Sequence, residues 1–265
     1  MRMFLAVLLL ALSGLSQAAI QTRETPYQST DGTKMIGYFA YDDALKGPRP
    51  GVVVVHEWWG LNDYTKRRAR DLAGLGYSAL AIDMYGDGKN TEHPKDAMAF
   101  MQAVAKDSVV SSARFQAGLD LLKQQPQTDP HKIAAIGYCF GGGVVLNAAR
   151  QGVPLAGVVS FHGALTTKTP ATPGSVKAKI LVEHGALDSI VTPENITAFK
   201  SEMDKAGADY TFVSLDSARH GFTNPDADRL GHGDHGGPDI GYNKAADEKS
   251  WADMQAFFKR IFGQP

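Results

Sequence analysis

Residues 51 to 56 read Gly-Val-Val-Val-Val-His, four β-branched residues in succession with no polar position among them. A strand with one wet face alternates apolar and polar residues, whereas a strand that is apolar throughout is buried on both faces. Only a sheet covered by helices above and below meets that demand. The rest of the chain supplies such pieces. Strand patterns occur at 21–28 and 33–41, joined by an Asp31-Gly32 turn, and again at 77–83, 133–137, 155–161, 180–184 and 210–215. Helical patterns lie between them at 63–75, 94–106, 111–125 and 140–150, from Pro193 onward, and at 246–262. Phe115, Leu119 and Leu122 share one helix face, as do Ile196, Phe199 and Met203, and finally Trp251, Met254, Phe258 and Ile261. This alternation predicts an α/β fold with a mainly parallel central sheet and helices on both faces. Ligands bind at the carboxyl ends of the strands in such sheets, so functional residues are expected just after strands.

The first nineteen residues read differently. Met1-Arg2, an apolar stretch from Phe4 to Leu12, and the small-x-small ending Ser16-Gln17-Ala18 form the pattern of a secretory signal peptide. An apolar core of about ten residues is too short for a bilayer, which takes roughly 20. Cleavage near Ala18 or Ala19 is therefore expected, with a periplasmic or secreted product and no membrane anchor left on it. Residues 20–265 are of a length that suits one α/β domain. With 43 % hydrophobic and 21 % charged residues the chain is an ordinary globular one, and a net charge of −1 excludes a nucleic-acid-binding footprint. The cluster Lys66, Arg67, Arg68 and Arg70 reads as the solvated face of a helix.

The chain holds one cysteine. An exported protein with a single thiol has no internal disulfide, and a free thiol in an oxidising compartment risks unwanted pairing. Its context explains its presence. Gly137-Tyr138-Cys139-Phe140-Gly141 follows a strand and opens a helix, the nucleophile-elbow pattern G-x-S-x-G with sulfur in place of oxygen. The sulfur is then set near a helix N-terminus, where unpaired N–H groups attract negative charge. The bland alternative is a buried cysteine in a glycine-rich turn. Elbow enzymes place the acid and then the base further along the chain. Asp188 and His220 both follow strands, in the stretches 184–188 and 216–222, and are the expected acid and base. Asp216 is a rival orienter, and His162 and His184 are rival bases. The loop after the Val run, His56-Glu57-Trp58-Trp59-Gly60, is where the second oxyanion donor is expected. Backbone N–H groups of Trp58 and Phe140 would then form the oxyanion hole. Glu57 beside them is unusual, because a carboxylate repels a thiolate.

HEWWGLN (56–62), DMYGDG (83–88), GYCFGG (137–142), HGALD (184–188) and ARHGF (218–222) together resemble the dienelactone hydrolase family. The resemblance runs from about Gly51 to the final helix. It implies an α/β-hydrolase fold, a Cys139–His220–Asp188 triad and hydrolysis of small activated esters or lactones. It also implies that Glu57 holds the resting thiol and swings away when substrate binds. Tyr85, Asp87, Asn224 and Trp59 fall at the substrate site on this resemblance. The namesake enzymes grip a substrate carboxylate with two arginines, but Asp87 and Asn224 stand in those places here. That clamp is therefore expected to be lost, unless Arg219, Lys89 or Arg229 replaces it.

No cofactor or metal is implied. The loop 231–237, with His232 and His235, lacks the rigid spacing of a metal site. Asn195-Ile196-Thr197 matches a glycosylation sequon but falls in an expected helix. The expected partner is a small ester or lactone, with a monomer favoured. Two rivals stand beside the hydrolase. One is a redox protein whose cysteine cycles through sulfenic acid, although no second cysteine exists to resolve it. The other is a non-catalytic binder on a hydrolase scaffold.

Overall fold

The computed structural model describes residues 20–231 and 239–263. The expected leader and the residues His232 and His235 lie outside them. Eight strands form one sheet in the order β1-β2-β4-β3-β5-β6-β7-β8. β1 (Ile20–Gln28) and β2 (Lys34–Asp42) pair antiparallel across the Asp31-Gly32 turn, and β2 pairs antiparallel with β4 (Ser78–Ile82). From β4 onward every pairing is parallel, through β3 (Arg49–Val55), β5 (Thr128–Tyr138), β6 (Gly157–Phe161), β7 (Lys179–Gly185) and β8 (Tyr210–Leu215).

The Val run does what its pattern demands. Val53 and Val55 enter a core with residues of α3 (Ser108–Lys123), α4 (Phe140–Arg150) and α5 (Pro193–Ala206). Val52 and Val54 enter a second core on the other face, with residues of α1 (Asp63–Gly74) and α7 (Lys244–Phe262). Both cores are closed by the expected helix faces, with Phe257 joining Met254 and Phe258 inside α7. α2 (Pro94–Ala105) crosses near the carboxyl ends of the strands. A five-residue helix, α6 (Ala227–Gly231), was not expected. Among the described residues no helix is long and apolar enough to cross a membrane.

One surface expectation fails. Arg68 is not part of a solvated face but is buried, donating to the Thr223 carbonyl at 2.8 Å and pairing with Asp247 of α7. A buried guanidinium needs such partners, and the two cross-links tie α1 to α7 and to the loop after β8.

Candidate active site

β5 runs straight into α4 at Cys139, whose backbone adopts φ 52° and ψ −115°. A non-glycine residue there costs of order 1–3 kcal/mol and persists only where the surroundings enforce it. They do so through the flanking glycines. A Cβ on Gly137 would stand 2.1 Å from the Gly141 carbonyl oxygen, and one on Gly141 would stand 2.4 Å from that of Val55. Strand and helix therefore meet with no room for a side chain. The turn is pinned further by the Cys139 N–H on the Phe161 carbonyl at 3.0 Å and the Gly141 N–H on the His56 carbonyl at 3.1 Å.

His220 follows β8 and Asp188 follows β7, and they meet: His220 Nδ1 lies 2.9 Å from Asp188 Oδ2. The other carboxylate oxygen accepts the N–H groups of Ile190 at 2.8 Å and Val191 at 3.0 Å. Burial works to raise the Asp188 carboxyl, but the His220 hydrogen bond and charge and these two amides hold it below the usual range. For His220, burial disfavours the charged ring. The negative charge of Cys139 and the Asp188 bond outweigh it and raise the imidazole to about 10. Nε2 of His220 is buried without a hydrogen bond of full geometry, and Cys139 acts on the same ring.

The rivals are placed elsewhere. Asp216 is exposed after β8. His184 Nδ1 is 4.0 Å from Asp188 Oδ2, and burial lowers its basicity. His162 is buried behind the site, with Nε2 2.8 Å from Thr223 Oγ1 and its ring edge-on to His220 at 5.1 Å.

Trp58, Cys139, Phe140 and His220 line one cleft of about 350 Å³ with Met98, Met101, Ala164, Leu165, Thr166, Ile190, Val191, Asn195 and Ile240. Its wall is mostly apolar, and among the described residues that line it there is no lysine, arginine, aspartate or glutamate. The Phe140 N–H belongs to the unpaired first turn of α4. Neither it nor the Trp58 N–H donates to any described residue.

Five of the expected site residues, Glu57, Asn224, Trp59, Asp87 and Tyr85, have other contacts than those expected. Glu57 Oε2 accepts from Asn224 Nδ2 at 2.6 Å, so its carboxylate is held by that amide and not by the sulfur. Asn224 is itself 1 % exposed, with Oδ1 accepting the Asp226 N–H at 3.0 Å, and has no face left for substrate. Trp59 does not line the cleft but is buried in an apolar cluster with Ala97, Ala227, Leu230 and Ile240. Asp87 sits exposed in the turn after β4, where its N–H holds the Lys34 carbonyl at 2.8 Å. Tyr85 lies beneath the wall instead, donating its hydroxyl to the Trp58 carbonyl at 3.0 Å. Burial pushes the Glu57 carboxyl up to about 7, against the Asn224 bond and the charges of His220 and Arg68. The three candidate replacement cations do not line the cleft. Arg219 is on Asp239 at 3.3 Å, and Arg229 grips both oxygens of Glu92 at 2.9 Å.

Sequence reasoning missed the cleft wall. Met98 and Met101 stand one turn apart on α2, a helix with apolar residues on several sides, so no pattern set these two apart. Asn195 also reaches the cleft while closing a capping box with Thr192, so the sequon asparagine is engaged in structure. Among the described residues no group of side chains is placed to hold a metal ion.

The model of the dienelactone hydrolase family matches residues 35–262. The chain belongs to the dienelactone hydrolase family. A solved structure described as a dienelactone hydrolase-like promiscuous phosphotriesterase from metagenomic libraries is similar at TM-score 0.86 and 40 % identity, over 92 % of this chain and 100 % of that one. A protein of Escherichia coli O157:H7 named "Putative carboxymethylenebutenolidase" is 25 % identical over 96 % of this chain and 95 % of its own. Protein usf of Aquifex pyrophilus is 28 % identical over 86 % of this chain and 94 % of its own. The fold is that of the α/β hydrolases, and the family places the chain among ester and lactone hydrolases.

Proposed function

We propose that this family member is an exported thiol hydrolase that cleaves small neutral esters or lactones through a thioester on Cys139. The observation that carries the reading is the alignment of a strained elbow cysteine, His220 and Asp188 at an apolar cleft without a cation. His220 takes the thiol proton at Nε2, while Asp188 holds the Nδ1 proton and stabilises the imidazolium. The thiolate attacks the carbonyl carbon, and the displaced electron pair comes to rest on oxygen between the N–H groups of Phe140 and Trp58. Collapse re-forms the carbonyl and breaks the bond to the alcohol oxygen, which takes the proton from His220. Water then gives a proton to His220 and adds to the thioester, and expulsion of the thiolate, which takes that proton back from His220, frees the acid. In a lactone the released hydroxyl stays attached to the acyl chain.

Charge selects the substrate. A charge-assisted hydrogen bond contributes about 1.5–3 kcal/mol, so a cleft without arginine or lysine gives a substrate carboxylate nothing of the kind. A neutral phosphotriester fits the same wall, a second reading favoured by the phosphotriesterase described above. The test is a panel of neutral activated esters, lactones, phosphotriesters and carboxylate-bearing analogues. Neutral carboxyl esters are expected to lead in kcat/KM, and activity confined to phosphotriesters would overturn the ester assignment. Export rests on the leader pattern at 1–19. Secreted or periplasmic protein should begin at Ala19 or Ile20 on N-terminal sequencing, whereas an intact Met1 would contradict it.

A further inference from the structure

The steps above make no use of His56, the residue that follows β3. Its ring is fully buried, and burial holds it below the usual imidazole range, so it is neutral. Two contacts fix its tautomer. The Met84 N–H donates to Nε2 at 3.1 Å, so Nε2 carries no proton. Nδ1 is therefore the donor in the 2.5 Å contact with the Glu57 carbonyl oxygen. The only other donor to that oxygen among the described residues is the Gly60 N–H, at 3.2 Å.

This bond has a consequence one atom further along. Among the described residues no peptide bond is cis. In a trans peptide the C=O and N–H point to opposite sides of the chain. Holding the Glu57 carbonyl against the buried ring thus turns the Trp58 N–H the other way, and Trp58 lines the cleft with Cys139. The Tyr85 hydroxyl fixes the following carbonyl, that of Trp58, at 3.0 Å. The His56 carbonyl accepts the Gly141 N–H at 3.1 Å, which ties this loop to the turn carrying Phe140. Both presumed oxyanion donors are therefore registered through His56.

We propose that His56 is the positioning residue of the oxyanion hole, its Nδ1–H holding the Glu57 carbonyl so that the Trp58 N–H is presented to the substrate oxygen. The inference rests on the thioester reading above. Two substitutions separate the two ring contacts. His56→Asn keeps a donor near the place of Nδ1, and His56→Gln keeps an acceptor near the place of Nε2 for Met84. Deleting an oxyanion donor costs about 10²–10³ in kcat, and mis-aiming one is expected to cost about 10–100-fold.

Each protein is mixed with p-nitrophenyl butyrate, and the rate of acyl-adduct formation on Cys139 is followed by intact mass. In parallel, Cys139 is alkylated with iodoacetamide, a reaction that needs the thiolate but develops no oxyanion. His56→Gln should acylate 10–100-fold more slowly, with kcat reduced and KM within about twofold, yet alkylate like wild type across pH. His56→Asn should recover acylation to within a few-fold. Acylation of His56→Gln within threefold of wild type overturns the proposal. So does a parallel loss of acylation and alkylation, which would place the effect on the fold of the site, or an Asn variant as slow as the Gln variant. A wild type that forms no adduct sinks the thioester reading itself, and this inference with it.

Discussion

At Cys139 the backbone strain, the sulfur and the helix end act on one another. The elbow lifts the thiol toward His220, and the charge of that thiol is the main force raising the imidazole to about 10. Cys139→Ala removes the nucleophile while keeping the turn. Ester turnover should fall on the order of 10⁴-fold or more with little change in melting temperature, and a variant with most of its activity would take the thiol out of the mechanism. Glu57 is the second residue whose state matters. Burial pushes its carboxyl up to about 7, and it interacts with the charge of His220. Above that pH its negative charge helps to hold the His220 proton, and an imidazolium sustains a thiolate beside it. Wild-type alkylation should therefore show an extra rise near pH 7 that Glu57→Gln lacks, and superimposable profiles would mean the carboxyl does not reach the pair. The convergence of Cys139, His220 and Asp188 on one end of the sheet was legible in sequence because Cys139 follows β5 and the other two lie in the loops after β7 and β8. Asn224 and Trp59 were not, because their directions are set by long loops. Their partners, Glu57 and the Ala97–Leu230 cluster, lie far away in the chain.

Among the elements, the β5–α4 junction has the least tolerance. A methyl on Gly137 would stand 2.1 Å from a backbone oxygen that cannot rotate away. Gly137→Ala should cost at least about 1–3 kcal/mol, read as a lower midpoint in urea, and an unchanged midpoint would contradict so close a junction. β7 carries a different burden. Glu183 is 0 % exposed, and neither carboxyl oxygen has a partner among the described residues. Burial, aided by the charge of Asp253 and opposed by Lys249, pushes its carboxyl up to about 8 from 4.5. The folded state thus holds a proton that the unfolded state releases above about 4.5. The stability tied to that proton is full below pH 4.5 and is lost as pH rises through about 8. Glu183→Gln should gain in melting temperature relative to wild type between pH 5 and pH 9, and a difference constant in pH would place Glu183 in contact with water. The strands and helices were readable from periodicity because both cores need apolar faces. Their ends were less so: α3 starts at Ser108 because Asp107 caps it through the N–H groups of Val109 and Val110. α6, with five residues, is too short to show a period.

At the scale of the whole molecule, the parallel strands bring the connections that follow them to one end. The cleft they enclose is apolar, and the candidate cations Arg219 and Arg229 are committed to Asp239 and Glu92. A neutral activated ester should exceed its carboxylate-bearing analogue in kcat/KM by about tenfold or more. Thr166→Arg, which sets a cation on the exposed rim, should narrow the gap. A wild type that prefers the anion by tenfold would mean that a cation reaches the cleft. The α/β class followed from the Val run and the alternation of strand and helix patterns, whereas the sequence left open whether Arg219, Lys89 or Arg229 replaces the lost clamp, since that depends on which side chains turn inward. A thioester mechanism requires a covalent intermediate at one atom, the Cys139 sulfur. Acid quenching of wild-type protein with a slowly hydrolysed neutral ester should leave one acyl group, mapped to the peptide carrying Cys139 and removed by neutral hydroxylamine as a thioester is. Steady turnover with no adduct at Cys139, or an adduct on any other residue, would contradict it.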